Sequence, residues 1–255
     1  MNDLLARLPK AELHLHLEGT ISAETLWAMA QANHVALPVG SLEELRRLYH
    51  FESFDEFIEL WLAMCSCFRA EADYERMVDG FLAECGRQNI RYAEVHFTPY
   101  NHEKLGIGGR LSLEAVTRRL LASEAAGGPV VRIITDIPSE SADASGPFTV
   151  ALLEEEANPL VVALGLGGPE AGHPRARFTS WFERARSAGY PAVAHAGETG
   201  GADHVGRRCW TCGSAASSTE SARSRTRRCC ACWPPAGSAA TWPSRATSAS
   251  RSSRR

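Results

Sequence analysis

The chain has 255 residues, enough for one α/β barrel at the short end of its range or for two small domains, and 44 % of them are hydrophobic, which argues against global disorder. The opening MNDLLARLPKAELHLHLEG has no basic segment leading into an apolar one, and no run approaches the ~18 apolar residues of a membrane span, so a cytoplasmic protein outside the membrane is expected. The net charge of −3 conceals a join: residues 1–206 hold 29 acidic and 17 basic side chains, whereas residues 207–255 hold ten Arg, no Lys and one acid, Glu220.

Ala11–Leu17 alternates apolar and polar residues and predicts a strand. Ser22 is placed to cap a helix through ISAETLWAMAQANH. Leu42–Tyr49 and Phe54–Phe68 predict amphipathic helices, the second with Phe54, Phe57, Ile58, Trp61 and Leu62 along one face. Ala72–Gln88 predicts a helix and Ile90–Pro99 (IRYAEVHFTP) a strand. Helix Leu111–Ala125, strand Pro129–Pro138 (PVVRIITDIP) and helix Pro147–Ala157 follow. Leu160–Leu166 is nearly continuously apolar, as a strand buried on both faces would be. Helix Phe178–Ala188 and a strand opening at Pro191–His195 complete the pattern.

Five strands separated by helices make a parallel α/β unit. A doubly wound sheet fits the alternation alone. A TIM-type (β/α)8 barrel is favoured because histidines lie in or at the ends of different strands, which is how barrel sites are assembled. Five βα units do not close eight, so the expectation is an incomplete barrel over 1–205 and a separate low-complexity tail over 206–255. The last 49 residues contain no Leu, Ile, Val, Phe, Tyr or Met, and so lack the side chains that fill a core; disorder is the expectation there.

His14 and His16 alternate on the first strand, so both side chains are expected on one face, where two imidazoles could share a zinc ion. The pair alone is equally compatible with two hydrogen-bonded or solvated histidines. His195 ends the fifth strand in VAHAGETGG and could be a third ligand. Glu198, in the glycine-rich loop beyond it, could move protons beside metal-activated water or be a solvated loop acid. Gly167 and Gly168 end the fourth strand, either to admit a planar ligand or to make a tight turn.

The segments LPKAELHLHLEGTIS, YAEVHFTP, VVALGLGGPEAGHPRARF and VAHAGETGG together resemble the adenosine/adenine deaminase family, in the family's order across nearly all of residues 1–205. The resemblance implies a (β/α)8 barrel, a Zn2+ cofactor and hydrolytic replacement of an adenine ring's amino group by addition and elimination at C6. It implies that His14, His16 and His195 are zinc ligands, that Glu198 is the acid/base at N1, and that Gly168 offers its N–H to the purine. Glu18 stands where the adenosine enzymes usually carry an Asp that contacts the ribose, so His16, Glu18 and Gly168 are the candidate substrate-facing set. A small purine is the implied partner. Adenosine is the broadest expectation, with adenine or another 6-aminopurine a rival because HLEG and GHPRARF are more like the bacterial branch.

The resemblance also implies a later His-Gly pair and an Asp-Asp pair whose first Asp binds zinc. Residues 207–255 contain neither His nor Asp. A shifted reading frame in a GC-rich gene explains such a tail. One coding of Cys209–Arg223, read two bases in, gives Leu-Asp-Leu-Arg-Gln-Arg-Arg-Val-Glu-His-Gly-Val-Arg-Ala. Ten arginines interleaved with Trp210, Trp233 and Trp242 could instead bind nucleic acid, but the absence of Lys and of any repeat argues against it.

Overall fold

The computed structural model describes residues 2–155, 158–198 and 216–217. Five strands, β1 (Lys10–His16), β2 (Ile90–Phe97), β3 (Val130–Pro138), β4 (Val161–Gly167) and β5 (Ala192–Ala194), pair in parallel, with a two-residue β6 (Ala216–Ser217) beside β5. Their order in the sheet is their order in the chain, β1-β2-β3-β4-β5-β6. A doubly wound sheet reverses direction at a switch point; barrel staves do not. The described sheet is therefore an incomplete barrel, wrapped by helices and open beyond β1.

The wrapping helices are α1 (Asn2–Arg7), α2 (Ala23–Ala32), α3 (Leu42–Leu48), α4 (Phe54–Ser66), α5 (Glu71–Gln88), α6 (Pro99–Lys104), α7 (Gly109–Ala125), α8 (Ala142–Glu155) and α9 (Thr179–Ser187). Serines start three of them. Ser22, Ser41 and Ser53 accept hydrogen bonds at 3.2 Å from the backbone N–H of Thr25, Glu44 and Glu56, each worth about 1 kcal/mol. Asn89 ends α5 at φ 54°, a left-handed conformation Asn tolerates, and turns the chain into β2.

The apolar core joins strands and helices. Val95, Phe97, Ile133, Leu164 and Leu166 pack in one cluster with Leu26, Met29, Tyr74 and Phe81, all nearly or fully buried. Burying each such large side chain stabilises the fold by about 1.5–3 kcal/mol.

Several elements differ from expectation. On α4, Leu62 is 56 % exposed, while Leu60 and Met64 are buried; the inward stripe is one turn-step away from the predicted face, because a run this rich in apolar residues supports more than one stripe. Helix α6 follows directly on β2, with Pro99 in its first turn, where its missing N–H costs nothing. Helix α8 begins at Ala142 rather than at Pro147 and keeps that proline inside, giving up the bond it would have made to Asp143. The expected tail, 206–255, lies outside the described residues apart from Ala216–Ser217.

Candidate metal centre

Parallel register puts one face of the sheet to work. His16 pairs with His96, His96 with Ile134, and Asp136 with Gly165, which pairs with Val193. Side chains two residues apart on a strand share a face. His16, His96, Asp136 and His195 therefore emerge on one side, at the carboxyl ends of β1, β2, β3 and β5. One ligand atom from each lies within 4.8 Å of the others.

His16 Nε2 and His195 Nε2 are 3.1 Å apart. Two ligands on one zinc at Zn–N of about 2.0–2.1 Å, tetrahedrally arranged, stand about 3.3 Å apart. One ring is held from behind by a hydrogen bond, and the other faces a carboxylate. Glu198 Oε2 is 3.3 Å from His195 Nδ1, and Asp136 Oδ2 is 3.7 Å from His16 Nδ1. His14 Nδ1 and His96 Nε2 are buried with no hydrogen-bond partner, a costly state for ring nitrogens that a bound cation relieves. The donor set fits zinc: neutral imidazoles, with carboxylates beside the rings.

The electrostatics follow from crowding. Burial and the neighbouring rings of His96, His195 and His16 push His14 down to about 3. Burial also lowers His16. Burial opposes charge on both His96 and Asp136, yet each outweighs it for the other, so His96 is raised and Asp136 lowered. The hydrogen bond from His195 holds Glu198 below the usual carboxylate range.

His14 departs from the expected arrangement. It sits in a register shift between Leu13 and Leu15 at φ 71°, so β1 is bulged where simple alternation was expected. Bulges re-aim a side chain at the cost of pairing. The His14 ring still lies 4.2 Å from His96 and 4.6 Å from His195, centroid to centroid, but outside the compact four.

Glu18 is wholly buried in a short 3-10 turn, Glu18–Thr20. Its Oε1 lies 3.4 Å from Thr98 N and from His102 Nε2, and its Oε2 has no hydrogen-bond partner. Gly168 adopts φ 81°, and a Cβ there would press within 2.5 Å of Glu140 and 2.8 Å of Ser139. Only glycine fits. Glu198 is 41 % exposed and borders a hollow of about 450 Å3 shared with Phe51, Glu52, Ser53 and Phe57.

A buried ion pair braces this mouth. Arg175 donates to the carbonyls of His195 (3.2 Å) and Gly168 (3.5 Å), and lies 3.8 Å from Glu170. Glu170 in turn accepts from Gly197 N at 2.6 Å. Gly168, His195 and the loop to Glu198 thus hang on one rigid pair.

His96 and Asp136 were not among the sequence candidates. The signal was present: each is a polar residue near the carboxyl end of a parallel strand.

Comparison with known proteins agrees with this geometry. A family model described as adenosine deaminase matches residues 9–214. An adenine deaminase of Wolinella succinogenes is 33 % identical over 205 residues, covering 80 % of this chain and 62 % of its own length. The crystal structure of an adenine deaminase from Arthrobacter aurescens superposes with a TM-score of 0.77 at 29 % identity, over 82 % of this chain and 64 % of that one. A zinc-bound amidohydrolase from Burkholderia ambifaria shares the fold at TM-score 0.75 and 22 % identity, over 84 % and 59 %. The chain spans less than two thirds of the length of each of these relatives.

Proposed function

Because the chain belongs to the adenosine deaminase family of metal-dependent hydrolases, we propose that its site is built to deaminate a 6-aminopurine, with free adenine ahead of adenosine. The observation that carries the proposal is the convergence of His16 Nε2 and His195 Nε2 at 3.1 Å with Glu198 behind the second ring. Two further points support adenine. Three relatives at 33–37 % identity carry the name adenine deaminase. Glu18, the residue that by resemblance would meet a ribose, is turned inward to Thr98 and His102, leaving nothing of itself at the open mouth.

By the resemblance His14, His16 and His195 would hold a zinc ion. Zinc supplies Lewis acidity that makes water a nucleophile near neutral pH. By the resemblance Glu198, once it exchanges its contact with His195 for the substrate, would take a proton from the attacking water and deliver one to N1. A C6–O bond forms, the remaining hydroxyl proton passes to the amino group, the C6–N bond breaks, and ammonia leaves. The Gly168 N–H orients the ring. No helix among the described residues is long and apolar enough to cross a membrane, in keeping with a small-molecule substrate met in water.

With no His or Asp in residues 207–255, the resemblance leaves the assisting histidine and the carboxylate ligand unfilled, so turnover by this chain is expected to be negligible. Substrate class is therefore tested by binding. Calorimetric titration of the zinc-loaded chain should show adenine binding more tightly than adenosine, and cytosine not at all. Equal or tighter binding of cytosine would overturn the purine assignment, and tighter adenosine the order.

A further inference from the structure

We propose that His96, oriented by Asp136, is a metal ligand of this chain alongside His16 and His195. The inference deepens the metal-centre reading and rests on it. His96 lies on β2 in register with His16 on β1, so its ring enters the site from the adjacent stave at the same level. It is fully buried. Its Nδ1 is committed to Asp136, at 2.9 Å from Oδ1 and 3.1 Å from Oδ2. That leaves Nε2, which no group among the described residues satisfies; the His96 ring lies 4.2, 5.0 and 5.8 Å, centroid to centroid, from the rings of His14, His16 and His195.

An imidazole tied at Nδ1 by a carboxylate and open at Nε2 is the arrangement by which proteins fix a metal-binding histidine. Asp136 serves two such rings, since its Oδ2 also faces His16 Nδ1. The neighbouring strand is shaped around it. A Cβ on Gly165 would fall 1.7 Å from Asp136 Oδ1, and one on Gly167 would touch Asp136 at 3.5 Å and His16 at 4.0 Å. The space that side chains on β4 would fill is given to this carboxylate.

The test uses the full chain and Zn2+ in competition with a chromophoric chelator. His96→Gln should weaken zinc at least about 100-fold and Asp136→Asn about 10–100-fold, while His50→Gln, exposed and remote, should leave affinity unchanged. Wild-type affinity in a folded His96→Gln chain overturns the proposal. A second measurement needs no variant. In the 113Cd-loaded wild-type chain with 15N-labelled histidine, the rings of His16, His195 and His96 should each show 113Cd–15N coupling at Nε2. Coupling to His16 and His195 without His96 overturns this proposal alone; no bound cadmium overturns the metal-centre reading as well.

Discussion

Strands β1 and β3 lie two staves apart and are built in opposite ways. Along β3 every residue from Ile133 to Pro138 is buried, and its register with β2 is unbroken. Along β1 three consecutive residues, Ala11 to Leu13, are exposed, Leu13 at 58 %, and the register slips twice. Among the described residues β1 pairs with β2 alone. The difference shows where this fold is self-sufficient. Centre staves are held by neighbours on both sides; the edge stave carries two of the site histidines with half of its pairing unmet. A barrel normally removes such an edge by closing.

That comparison can be broken or sharpened by substitution. The largest loss is expected away from both strands, at the brace. Arg175→Met would remove the buried guanidinium that holds the carbonyls of His195 and Gly168 and faces Glu170, and should cost about 3–5 kcal/mol in denaturant unfolding; a loss under about 1 kcal/mol would mean the pair does not hold the His195 loop. In the centre, Ile133→Ala should cost about 2–5 kcal/mol, read the same way. Ser22→Ala removes one cap and should cost about 1 kcal/mol. On the edge, Leu13→Thr should change stability by no more than about 0.5 kcal/mol while raising the concentration at which light scattering appears. If Leu13→Thr proved as costly as Ile133→Ala, β1 would be covered in solution and the contrast with β3 would fail.

Much of the scaffold was legible in the sequence because parallel strands buried on both faces read as apolar runs: VVALGLG and VVRIITDIP can hardly be anything else. His16, His195 and Glu198 were legible because strand ends and the loop after them are where barrels keep their chemistry. The bulge at His14 was not, since a register slip depends on what the partner strand offers and leaves no mark in residue type. His96 and Asp136 were hidden differently. Their strands were recognised, but their partnership depends on which residues stand level across three staves. Aligning the strand ends, His16 beside His96 and Asp136 beside Gly165, would have exposed it. Glu18 was expected at the mouth and lies beneath it, because the 3-10 turn after β1 folds its side chain toward α6.

The central claim is that His16, His96, Asp136 and His195 gather a metal-holding set at the strand ends, while residues 207–255 contain neither His nor Asp. The most direct test measures two quantities on one zinc-saturated preparation of the full chain: bound zinc per chain, and ammonia released from adenine. One zinc per chain with ammonia no higher than in the zinc-only control is the predicted result. Turnover within about tenfold of an intact adenine deaminase, on the order of 1–1000 per second, would contradict it.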